Sequence, residues 1–182
     1  MYFKLHELGI IIGCAGVSFL LNTQLPIQRI LTSLGIPGPA AGIAVFGGFL
    51  FVIWIFLAYR LVEKNFAGIA TAIFIPAFCL MIGPWYGVTE PPWFGIYGIG
   101  AFLLMGLLIE LLFKIGGWTG VILGGGLGNL TCILVTWAAI GYHTGILPTI
   151  SALPILAAFA IFSGALGSVV AELIYKYGKP VS

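Results

Sequence analysis

Polar side chains are sparse along this chain, and long apolar runs lie between them. The runs cover residues 8–22, 40–62, 66–83, 94–113, 118–142 and 151–177. A helix that crosses a bilayer needs about 20 mostly apolar residues, so the pattern predicts six spans. In lipid every backbone N–H must be paired within its own segment, which makes the runs helices. A transmembrane β-barrel would show short alternating segments instead. Pro76, in the middle of the third run, predicts a kink. Pro154 falls in the first turns of the sixth run, where proline is better tolerated. The first run follows an early lysine, as in a signal peptide. No small-residue cleavage motif comes after it, so it is read as a span. The expected fold is all-α: one bundle of six transmembrane helices occupying residues 1–182.

The basic residues orient this bundle. With six spans and the N-terminus inside, the inner face holds Lys4, Arg60, Lys64, Lys114, Lys176 and Lys179, and the outer face holds Arg29. Loops rich in lysine and arginine stay in the cytoplasm, so both termini are expected there, in a multi-pass protein of the cell membrane. Composition agrees: 61% of residues are hydrophobic and 7% charged. A soluble domain carries roughly a quarter charged residues, so this is neither a soluble nor a disordered chain. A net charge of +2 gives no basic field for nucleic acid. Cys14, Cys79 and Cys132 stand alone in apolar runs and read as buried thiols.

Two helix ends repeat a motif. Glu110 precedes Lys114 by four residues, and Glu172 precedes Lys176 by four, each lysine followed shortly by glycine. That order favours a helical ion pair, with the cation at the helix C-terminus. The motif reads as an interface anchor or as a docking surface for a partner. Gly9-xxx-Gly13, Gly124-xxx-Gly128 and Gly164-xxx-Ser168 are small-xxx-small pairs that let helix backbones approach closely. The last two are expected to close the bundle internally. The first lies on a helix that can face a partner.

Chemistry gathers on the expected outer face. The first outer loop carries Asn22, Gln24, Gln28 and Arg29; the second carries Trp85, Tyr86, Glu90 and Trp93 and leads to Tyr97. Asn129, Thr136, Trp137, Tyr142 and His143 approach the third. Small-molecule sites are built this way, with apolar and aromatic walls and a few placed polar groups. Tryptophan and tyrosine also form the ordinary interfacial belt. Asn129, near mid-bilayer, must find a partner, either a ligand or another helix. Glu90 is a solvated loop residue or a counter-charge for a cation, and His143 a loop residue or a ligand contact. No phosphate-binding GxxxxGK[ST] loop, metal-ligand cluster or serine-nucleophile signature is present. The chain is therefore expected to be no enzyme and to need no cofactor or metal.

With these features the chain resembles the S-component of an energy-coupling factor (ECF) transporter. Lys4-Leu-His-Glu-Leu8, running into a helix rich in small residues, is similar to the start of many such subunits. Within the group it looks most similar to the YkoE-type, thiamin-related members. The similar stretches are Arg60-Leu-Val-Glu-Lys-Asn-Phe-Ala-Gly68, Trp93-Phe-Gly95, Gly106 to Phe113, and the glycine-rich last helix. The resemblance implies a subunit that binds a small vitamin or precursor tightly outside. It then associates with a transmembrane coupling subunit and two ATPase subunits, and topples to release substrate inward. The family docks its coupling subunit on an alanine-xxx-alanine surface of the first helix; here the matching place holds Gly9-xxx-Gly13. Nickel and cobalt members carry a histidine at position two, where this chain has Tyr2. An aromatic cage with one carboxylate suits a flat cationic or heteroaromatic ligand, which favours thiamin or hydroxymethylpyrimidine. Residues assigned to the ligand are Gln28, Trp85, Tyr86, Glu90, Trp93, Tyr97, Asn129, Trp137, Tyr142 and His143. Those assigned to the partner are Gly9, Gly13, Glu110 and Glu172. The competing expectation is a non-catalytic structural subunit of a larger membrane complex.

Overall fold

The computed structural model describes residues 2–27, 30, 33, 39–82, 94–145 and 150–178. Gln28, Arg29, Trp85, Tyr86, Glu90, Trp93 and Lys179 lie outside the described residues. Among the described residues there is no strand, and six long helices account for nearly all of them. These are α1 (Leu5–Gln24), α2 (residues 39–62), α3 (Ala67–Ile82), α4 (Phe94–Phe113), α5 (Gly117–Thr144) and α6 (Leu153–Gly178). Each falls within a turn of an apolar run. Leu5–Gln24, Ala40–Val62, Gly117–His143 and Leu153–Gly178 are long and apolar enough to cross a membrane. Ala67–Met81 and Tyr97–Phe113 are shorter apolar helices. Helix α3 runs on through Pro76, whose ring leaves the Ala72 carbonyl without its usual helical donor.

Successive helices run antiparallel. The starts of α1, α3 and α5 and the ends of α2, α4 and α6 meet at one end, which carries the described lysines and arginine. Helix α2 is the strut of the bundle. Its half nearest this basic end, Ile53–Val62, packs on α1, α3 and α6, whereas its other half, Pro39–Gly47, packs on α5 and α6. Phe51 and Phe56 of α2 are fully buried, edge-on to Phe102 and Phe113 of α4.

Between its halves α2 contains a π-helical turn, Gly48–Val52, that hydropathy does not predict. Its cause is a backbone-to-backbone contact. A Cβ on Gly48 would sit 1.8 Å from the Ser163 carbonyl oxygen, and one on Gly167 would sit 2.4 Å from the Gly48 oxygen. The Gly48 N–H donates to Ser163 Oγ at 3.0 Å instead of staying wholly within its helix. Ser18 of α1 donates to the Leu50 carbonyl at 2.6 Å. Polar atoms of two neighbours thus serve groups that the widened turn frees.

The other small-residue pairs separate by environment. Gly124 and Gly128 lie against Ile109 and Met105 of α4, and Gly164 lies against Gly125 of α5. Ser168 donates to the Val121 carbonyl at 2.8 Å. Close packing replaces a hydrophobic drive at such contacts. Among the described residues, nothing beyond the helix's own backbone lies within 4 Å of where a Cβ would be on Gly9, Gly13 or Gly16 of α1.

Candidate functional site

The basic end is knitted together by charge. Arg60 Nε donates to Glu172 Oε2 at 2.7 Å, and its Nη2 to Oε1 at 3.3 Å. The Arg60 guanidinium also lies 4.8 Å from the Phe113 ring centroid and 4.1 Å from that of Tyr175. Lys64 pairs with Glu7 at 2.8 Å. Glu7 itself accepts from the Lys4 N–H at 2.7 Å, in the capping box that starts α1. Glu63, which ends α2 with φ 54°, accepts from the Tyr175 hydroxyl.

The repeated Glu–Lys motif splits into two different devices. Glu172 does pair with Lys176, at 3.4 Å, but its shorter contact is with Arg60. Glu110 does not pair with Lys114. Its Oε2 accepts from the Phe66 N–H at 2.8 Å, and its Oε1 from Gly68 at 2.8 Å and Ile69 at 3.1 Å. The first-turn N–H groups of a helix have no partner inside it, and a carboxylate there also meets the positive end of the dipole. Glu110 of α4 therefore caps α3 from across the bundle. Both carboxylates are only 4% exposed. As placed, they face this chain's own elements rather than an outward surface.

Asn129 sits at the centre of the bundle with no exposed surface. Its Nδ2 donates to the Ile43 carbonyl of α2 at 3.2 Å and to the Ala160 carbonyl of α6 at 3.0 Å. Its Oδ1 has no hydrogen-bond donor among the described residues and abuts Gly47, where a Cβ would lie 2.2 Å away. This amide clamps three helices, the helix-to-helix alternative of the two that hydropathy leaves open.

The opposite end holds the remaining described ligand candidates. Tyr97 and His143 join α4 to α5 through a 2.8 Å contact between the hydroxyl and Nε2. The Tyr142 ring stands edge-on to His143 at 5.1 Å, with the residue 80% exposed. Trp137, one and a half turns below His143, is 6% exposed, and its indole N–H has no partner among the described residues. Asn22, on the last turn of α1, is also 6% exposed, and its amide nitrogen has no partner among the described residues. The indole N–H of Trp54, in α2, is another such group. Buried donors are nearly always satisfied, so each marks a place where the described residues alone do not complete the hydrogen bonding.

Comparison with protein-family models, with curated proteins and with solved structures finds no match. The site has to be read from its own chemistry.

Sequence reasoning left Arg60 and Asn22 off the list of site residues. A signal for Asn22 was present: Glu7, Ile11, Cys14, Ser18 and Asn22 recur at three- and four-residue steps and form the buried face of α1. Arg60 had none, because its partner Glu172 is 112 residues away.

Proposed function

We propose that the chain is the substrate-binding subunit of an ECF-type importer, resident in the cell membrane with its basic end in the cytoplasm. Its substrate is a small heteroaromatic vitamin or precursor, with thiamin or hydroxymethylpyrimidine favoured. A transmembrane coupling subunit and two ATPase subunits supply the driving force. The observation that carries this reading is the contrast between the bundle's ends. At the basic end the carboxylates are engaged within the chain. Toward the other end Trp137 and Asn22 hold buried donors that have no partner among the described residues, and Tyr97, Tyr142 and His143 add aromatic and imidazole groups, with Tyr142 the most exposed. Pyrimidine nitrogens accept hydrogen bonds, which matches those donors. The bare glycine face of α1 offers the coupling subunit a flat surface.

The test is mass spectrometry of small molecules released from the purified protein in detergent. A stoichiometric heterocycle is expected. Trp137→Phe, which removes the N–H donor together with part of the ring, is expected to weaken its binding at least roughly fivefold to tenfold, the worth of about one hydrogen bond. A protein that releases nothing, and that a panel of vitamins does not stabilise against heat, would sink the proposal. The structural-subunit reading would then take its place. That alternative is favoured by the uncovered apolar groove of about 530 Å³ between α2 and α6, lined by Phe49, Trp54, Phe162 and Leu166 among others.

Gly13→Leu separates docking from folding. Its side chain enters open space, so thermal stability and substrate binding should be unchanged. Co-purification with the coupling subunit should be lost. Retained association would remove α1 as the docking face.

A further inference from the structure

The basic end also contains a cavity of about 560 Å³. It is lined by Tyr59, Arg60, Glu63, Lys64 and Asn65, from the last turn of α2 and the turn that follows, together with Tyr2 and Phe113. Several hydrogen-bonding groups here are unspent among the described residues. Arg60 commits Nε and Nη2 to Glu172, which leaves Nη1. Lys64 uses two of its three protons, on the Tyr2 carbonyl and on Glu7. The Tyr59 hydroxyl and the Asn65 side-chain amide bond nothing described in the chain.

Charge narrows what such a cavity takes. Of the charged residues that line it, Arg60 and Lys64 are already paired with Glu172 and Glu7, and Glu63 brings a carboxylate of its own. The cavity also lies at the negative end of the α2 dipole. A bare anion gains little there. A zwitterion can use both signs. Its phosphate would meet Arg60 Nη1, Lys64 and Asn65, and its ammonium the Glu63 carboxylate and the aromatic wall. Phe66, an exposed apolar residue, meets the ring of Tyr2 edge-on at 6.2 Å and so adjoins the cavity lining with an apolar surface.

We propose that this cavity seats the headgroup of an aminophospholipid from the leaflet at the basic end. The assignment is independent of what binds at the opposite end.

Native mass spectrometry of the purified protein tests it. Phosphatidylethanolamine, phosphatidylglycerol with the same acyl chains and inorganic phosphate are added separately. One phosphatidylethanolamine should be retained, at least about fivefold better than phosphatidylglycerol. Tyr59→Phe combined with Asn65→Leu should cut retention by about fivefold or more, the worth of one or two hydrogen bonds. Neither residue holds another part of the chain by a hydrogen bond, so the melting temperature should not move. Should the pair melt early, Asn65→Leu alone, on the exposed turn, carries the comparison. Equal retention of phosphatidylglycerol, or of phosphate alone, would make this a plain anion site and overturn the proposal. So would retention that the variants leave unchanged, or no retention of any probe.

Discussion

Gly164→Leu should be the most destabilising of these substitutions. A Cβ at this position would lie 2.2 Å from the Gly125 carbonyl oxygen and 2.7 Å from the Asn129 Cβ. The obstacle is mainly backbone, which cannot swing aside as a flexible side chain can, so α5 and α6 must separate. Separation strains the Ser168–Val121 and Asn129–Ala160 hydrogen bonds on either side. Overpacking alone costs about 1–3 kcal/mol, and each lost hydrogen bond adds about 1 kcal/mol. Against a total stability of about 5–15 kcal/mol that is a large fraction. Size-exclusion chromatography in detergent should show the sharp peak of the parent reduced in favour of aggregate, and the remaining peak should melt well below the parent. A monodisperse Gly164→Leu protein with the parent's melting temperature would show that the α5–α6 contact is looser than described. Gly13→Leu, the same change where there is open space, is the control.

Glu110→Leu should be the next most damaging. Three backbone N–H groups at the start of α3 would lose their acceptor while staying covered by α4. An unsatisfied buried donor costs about 1–3 kcal/mol, so even partial rehydration leaves a loss of about 3 kcal/mol. The damage should be local first: amide exchange at Phe66, Gly68 and Ile69 should accelerate before the remainder of α3. Glu110→Gln keeps one oxygen acceptor and should fall between the two. If Glu110→Leu melts with the parent and its α3 amides exchange as slowly, Glu110 is not the cap.

These residues show what was legible in the sequence. Hydropathy located all six helices, because burying a continuous apolar run depends only on local composition. It also marked Gly124, Gly128, Gly164 and Ser168 as packing residues, since a missing side chain is visible in any context. The Glu–Lys motif was legible only in part. Its four-residue spacing reports neighbours on the same helix, and the partners that matter most, Arg60 for Glu172 and the α3 N–H groups for Glu110, come from other helices. The π-turn was hidden for a related reason: Gly48 and Gly167 create it together, and neither predicts it alone. For Asn129 the need for a partner was legible, but its identity followed only from the convergence of α2, α5 and α6. Of the ligand candidates, Tyr97 and His143 are brought together although they lie 46 positions apart. The loop residues Gln28, Trp85, Tyr86, Glu90 and Trp93 remain readings from sequence.

The Arg60–Glu172 pair spans 112 residues, and that separation sets an order on biosynthesis. At roughly 5–20 residues per second, Arg60 is synthesised about 6–22 s before its counter-ion. Through that interval α2 is synthesised but its last turn carries an uncompensated cation, held at the water boundary. The strut can settle fully into the bundle only when the final helix arrives with Glu172. Nascent chains arrested before α6 should therefore stay open at the end where synthesis began, and the last helix inserted is the one that shuts it.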